Sequence, residues 1–98
     1  MKITKQKENE TLTVFLEGRL DTNTGPELNE SLESDLDEVK ELIIDLESLS
    51  YLSSVGLRIL IGLQQKMNSQ GKMVIRNVNE TVMEIFNVTG LSKVFTIE

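Results

Sequence analysis

The stretch LIIDLESLSYLSSVGLRILIGLQQK, residues 42–66, decides how the rest of the chain is read. Leu42, Ile43 and Ile44 form a short apolar run closed by Asp45, the pattern of a strand buried on both faces. From Val55 the apolar residues recur as Val55, Ile59, Leu60, Leu63 and Met67. This three-to-four spacing predicts an amphipathic helix over roughly 54–69. Between strand and helix lies Tyr51-Leu52-Ser53-Ser54-Val55-Gly56. Two hydroxyls thus stand where a helix begins and its first backbone N–H groups have no partner within the helix. Such a joint either caps itself through a serine or holds an anion, including a phosphate attached to that serine.

Upstream, residues 2–7 alternate weakly around Ile3 and predict an edge strand. Thr11 to Glu17 alternate clearly, with Leu12, Val14 and Leu16 on one face and Thr11, Thr13, Phe15 and Glu17 on the other. The short turn Glu8-Asn9-Glu10 pairs these strands as an antiparallel hairpin, and Gly18-Arg19-Leu20-Asp21 ends the second. Thr24 is the expected N-cap of a helix from about Gly25 to Asp37, with Glu27 completing a capping box and Pro26 in the first turn. Leu28, Leu32 and Leu36 form its inward face, and Val39 follows just beyond at the same spacing.

Downstream, Gln70-Gly71 stops the central helix, with Gly71 expected in the left-handed position. Met73-Val74-Ile75 reads as a buried strand, and Asn79 caps a further helix whose inward residues are Val82, Ile85 and Phe86. Gly90 ends that helix and Val94 to Ile97 is the last strand. The order β-β-α-β-α-β-α-β describes one α/β domain spanning residues 1–98. Its sheet is expected to be mixed but mostly parallel, with about five strands and three to four helices.

Composition excludes several chemistries. The 98 residues suit one small core, and 39% hydrophobic with 27% charged residues is ordinary for a soluble globular chain. Cysteine and histidine are both absent, which removes disulfides, thiol nucleophiles, zinc fingers, histidine bases and phosphohistidine relays. The formal charge of -6 argues against nucleic acid as a direct partner. Acidic residues crowd the Glu27–Glu41 region, as a solvated helix face requires. No run approaches the roughly 20 apolar residues that span a bilayer, so no membrane insertion is expected. MKITKQKENE has no signal-peptide core, and a cytoplasmic location is expected.

Enzymatic constellations are missing as well. Ser53 and Ser54 have no histidine base, and Lys66, Lys72 and Lys93 do not stand at S-x-x-K spacing to them. Neither G-x-x-x-x-G-K-[ST] nor G-x-G-x-x-G occurs. Asp45 ends a strand as a receiver-domain aspartate does, but the acidic pair such a domain needs is not present. No catalytic residue, metal site or cofactor is assigned. The serines therefore have two readings: one merely caps the helix, or one carries a phosphate whose charge of about -1.5 to -2 acts on whatever docks there.

DLESLSYLSSVGLRIL resembles the signature of the STAS domain, the fold of bacterial anti-sigma-factor antagonists. In that family a strand ends in Asp-Leu, here Asp45-Leu46. A hydrophobic–Asp–Ser–Ser/Thr–Gly–Leu turn then opens a helix; Ser54 falls on the phosphorylated serine and Gly56-Leu57 on the closing pair. Gly18-Arg19-Leu20-Asp21 resembles the family's Gly-x-Leu/Val-Asp motif, and Phe86-Asn87-Val88-Thr89-Gly90-Leu91 with Val94-Phe95 its closing helix and strand. Ser53 replaces the family's aspartate and Val55 its second hydroxyl residue, so Ser54 is the first choice of acceptor and Ser53 the second.

The resemblance implies a switch. The unphosphorylated antagonist binds an anti-sigma factor that is a serine kinase, which frees the sigma factor. Phosphorylation breaks the complex, and a PP2C-type phosphatase resets it. It implies a partner surface comprising Asp21, Thr22, Thr24, Ser53, Ser54, Val55, Gly56, Leu57 and Arg58. Asp21 is expected near Ser54, either orienting its hydroxyl and adding repulsion after modification, or capping the Thr22–Thr24 turn. The rival within the family is an unphosphorylated accessory subunit of a membrane lipid-transport complex, with the serine only a cap. Oligomeric state is left open.

Overall fold

A computed structural model describes all residues, 1–98. Five strands form one sheet: β1 (Lys2–Glu8), β2 (Thr11–Leu20), β3 (Glu41–Leu52), β4 (Lys72–Arg76) and β5 (Thr96–Ile97). They lie side by side in chain order, β1 antiparallel to β2 and every other pair parallel. Three α-helices make the crossovers: α1 (Gly25–Leu32), α2 (Ser54–Asn68) and α3 (Glu80–Thr89), with a 3-10 turn at Leu91–Lys93 before β5. The expected mixed α/β order is present, and no helix is long and apolar enough to cross a membrane.

The core lies between the helices and one face of the sheet. Leu12, Val14, Leu16, Leu42, Ile44, Met73 and Ile75 project from that face into one cluster with Leu28, Leu32, Leu60, Leu63, Met67, Val82 and Phe86. The alternate residues Thr13, Phe15 and Ile43 remain half-buried on the other face. The expectation that β3 is buried on both faces is therefore corrected. With strands in sequential order and crossovers of one hand, all helices fall on the same side. Val74, only 3% exposed, is buried outside the main cluster, on the open face.

Strand β3 is also longer than the apolar run suggests. Twelve residues, Glu41–Leu52, oppose ten in β2, Thr11–Leu20, so β3 carries two extra residues. The register slips between Phe15 and Glu17 and again between Gly18 and Arg19. Each slip is stitched by a side chain: the Glu47 N–H donates to Asp45 Oδ1 at 3.0 Å, and Ser50 Oγ donates to the Gly18 carbonyl at 2.9 Å. Gly18 accommodates its bulge with φ of 106°. Because each bulge shifts the alternation, Leu46, Leu49 and Leu52, three apart, all turn inward.

Local details differ from expectation in four places. The last strand is only Thr96–Ile97, because the Val94 and Phe95 N–H groups turn back to the Leu91 carbonyl and do not extend the sheet. Helix α1 stops at Leu32 and continues as turns, although Leu36 and Val39 stay buried. Thr24 makes no side-chain cap bond, so no capping box forms with Glu27. Gly71 does not adopt positive φ. A Cβ there would instead run into the Lys40 carbonyl, so close backbone approach is what excludes a side chain. Asn79 does cap α3, accepting from the Val82 N–H at 2.9 Å, and Gly90 ends it at φ 79°.

Candidate functional site

The C-terminal ends of β2 and β3 meet the start of α2 at the carboxyl edge of the parallel strands, where α/β sheets commonly bind ligands and partners. Leu20 pairs with Leu52, and the Ser53 N–H donates to the Leu20 carbonyl at 3.0 Å. Gly56 allows the contact. A Cβ on it would lie 2.7 Å from Leu52 Cδ1, 2.8 Å from the Leu20 carbonyl oxygen and 2.9 Å from Leu20 Cγ. The start of α1 comes alongside, since a Cβ on Gly25 would lie 3.3 Å from Ile59 Cγ1 and 3.4 Å from Val55 Cγ1. Residues 21–25 and 53–59 are thereby gathered into one edge.

The two serines have different environments. Ser53 is the N-cap of α2, in extended backbone, and its hydroxyl accepts from the Gly56 N–H at 3.2 Å. Ser54, the first helical residue, is exposed, and no hydrogen bond holds its side chain. Val55 and Leu57 are half-buried, Gly56 is buried, and Arg58 is exposed one turn beyond Ser54.

Asp21 bonds to neither serine. Its Oδ1 accepts from the backbone N–H groups of Asn23 at 3.0 Å and Thr24 at 3.1 Å, while Arg19 Nε lies 3.5 Å from Oδ2. The Thr24 hydroxyl accepts from the Asp21 N–H at 2.9 Å and donates to the Arg19 carbonyl at 2.7 Å. The Thr24 N–H holds the Asp21 carboxyl below its ordinary value, helped by Asn23, the Thr24 hydroxyl and Arg19, against partial desolvation. Asp21 thus shapes the turn leading into α1, the capping alternative of the sequence reading. Thr22 is exposed beside it.

Two residues outside the expected set complete the edge. Arg19 and Tyr51 are register partners, and the guanidinium carbon lies 4.1 Å from the centre of the Tyr51 ring. Tyr51 remains 42% exposed, among the few large apolar side chains that face solvent. Asp21 holds Arg19 from one side and Tyr51 from the other, so an aromatic–arginine pair is preset beside the serine turn. Only the bulges bring Arg19 opposite Tyr51, and nothing in the local sequence marks them.

Comparisons with known proteins agree with this fold. A family model, the STAS domain, matches residues 2–98. An anti-sigma-B factor antagonist of Listeria monocytogenes is 31% identical over 98 residues, covering 96% of this chain and 84% of that protein. A crystal structure of an anti-sigma factor antagonist from Mycobacterium paratuberculosis superposes with a TM-score of 0.88 at 25% identity, covering 98% and 83% of the two chains. The Bacillus cell fate determinant SpoIIAA in its phosphorylated form shares the fold at a TM-score of 0.77 and 20% identity, covering 99% and 91%.

Proposed function

The chain belongs to the STAS domain family, and on that footing we propose that it is an anti-sigma factor antagonist, a binding protein switched by phosphorylation of Ser54. In the unmodified state the edge formed by Asp21, Thr22, Thr24 and Ser53 to Arg58 docks on an anti-sigma factor with serine-kinase activity, in the cytoplasm, and so frees a sigma factor. The kinase transfers the γ-phosphoryl group of ATP to Ser54 Oγ. The O–P bond forms as the bond to ADP breaks and the hydroxyl proton is released. A PP2C-type phosphatase hydrolyses the ester and restores the hydroxyl.

The observation that carries this reading is the division of labour between the serines. Ser53 spends its hydroxyl on the helix cap, whereas Ser54 presents an exposed hydroxyl with no partner. A phosphate on Ser54 sits at a helix start, where negative charge is compatible with the fold. Its effect falls on the docked partner, which would have to accept a dianion in a desolvated interface. The Arg19–Tyr51 pair adds an anchor of the composition that concentrates binding energy at interfaces.

Phosphopeptide mass spectrometry on the protein from its own cells, in growth and under stress, tests the switch. Phosphate on Ser54 with occupancy that varies by condition is expected. Absence of phosphate in every condition would overturn the switch and leave a constitutive binding module.

A further inference from the structure

Arg58 follows Ser54 by four residues on α2, and both are exposed. The chain has three arginines. Arg19 pairs with Asp21 and Arg76 with Asp45, whereas Arg58 makes no ion pair. Helix α2, SVGLRILIGLQQKMN, contains no acidic residue, so nothing on its own helix competes for the guanidinium. Around the joint, Asp21 and Arg19 already satisfy each other, and Tyr51 is stacked on Arg19.

Residues four apart on a helix have Cβ atoms about 5–6 Å apart, and helical side chains lean toward the N-terminus, which directs Arg58 over the turn bearing Ser54. An anion preceding a cation at this spacing is the favourable order. The guanidinium fork matches two phosphate oxygens at once.

From these observations we propose that Arg58 is the intramolecular counter-ion of a phosphate on Ser54, closing over it as a two-pronged ion pair. The inference rests on Ser54 being the acceptor and deepens that reading. Before modification, Arg58 is a free cation on an otherwise acidic protein, available to a carboxylate of the partner. Afterwards the phosphate claims it. Phosphorylation therefore acts twice, adding a dianion to the edge and withdrawing the one unpaired arginine from it.

The test uses the full chain with phosphoserine installed genetically at position 54, beside the unmodified chain, each with Arg58, Arg58→Gln and Arg58→Lys. Three arginine Nε–H signals are available to nitrogen-15 NMR. On phosphorylation the Arg58 signal is expected to move farthest. Arg58→Gln is expected to lower the unfolding midpoint of the phosphorylated chain by about 2–4 °C while leaving the unmodified chain unchanged, with Arg58→Lys recovering part of the loss. An Arg58 signal that does not respond, or an equal loss in both chains, overturns the pairing. Because the phosphoserine is installed, the result does not depend on whether cells phosphorylate Ser54. Failure of the switch would appear as unphosphorylated protein in cells, and failure of the pairing as absent coupling in the installed form.

Discussion

Ser53 and Ser54 are chemically identical neighbours that the fold separates by one backbone step: the last extended residue caps, and the first helical residue is free. Removing the cap is expected to cost about 0.5–2 kcal/mol, so Ser53→Ala should lower the unfolding midpoint by several degrees in calorimetry. Ser54→Ala removes no hydrogen bond and should leave it in place. Equal losses would mean that the cap is misassigned. Asp21 permits a pH test. Its folded pKa is lowered by the Thr24 and Asn23 N–H groups and Arg19, so its ionised form contributes stability fully above the unfolded carboxyl value, about 3.9. That contribution is lost as pH falls through the lowered folded value. Asp21→Asn should therefore be less stable than the parent at neutral pH, and the gap should close on acidification; a gap constant to pH 2 would contradict the assignment. Sequence alone located both serines and Asp21, because strand end, helix start and turn residues leave local marks. It could not divide the serines' roles, which depend on which of them the backbone leaves extended.

The elements that build the site were legible in proportion to their periodicity. Strand β2 and helices α2 and α3 follow regular apolar spacing and lie where that spacing puts them. The second half of β3 breaks period two, since Leu46, Leu49 and Leu52 stand three apart, and only the paired strand shows that two bulges restore a continuous buried face. For the same reason the Arg19–Tyr51 pair was hidden, being a product of register. Helix α1 begins as its turn residues suggest, but through Asp21 rather than a Thr24–Glu27 box. Two glycines of α2 test how tightly this arrangement is packed. Gly56→Ala would press a methyl into the Leu20 carbonyl, which cannot rotate away, and should destabilise by about 1–3 kcal/mol while displacing the serine turn. Gly62 is exposed with open space where its Cβ would be, so Gly62→Ala should stabilise by up to about 1 kcal/mol through helix propensity. Urea titrations of the two variants should move in opposite directions. A neutral Gly56→Ala would mean that α2 can slide away from β2.

At the scale of the molecule, the sequential strand order leaves two open edges and one uncovered face, and open edges are templates for nonspecific association. The β5 edge is only two residues long. The β1 edge has seven residues, KITKQKE, of which four are charged. Lys5 is placed with particular effect. It pairs with Val14, a core residue, so its stem lies on the helix-covered side, and its ammonium reaches the Ser31 carbonyl at 3.0 Å and Asp35 at 2.6 Å. This inward-pointing charge closes the side of the core beneath α1 and makes β1 a poor template for another strand. Lys5→Val should keep the chain folded, because it extends the apolar face and forfeits only a half-exposed ion pair worth no more than about 1 kcal/mol. It should, however, increase concentration-dependent self-association in sedimentation velocity, while Lys2→Val, which pairs with Glu17 on the uncovered face, does so less. If both variants sedimented like the parent at every concentration, the edge would be protected by shape alone, and the lysine at position 5 would serve only to tether β1 to the turn after α1.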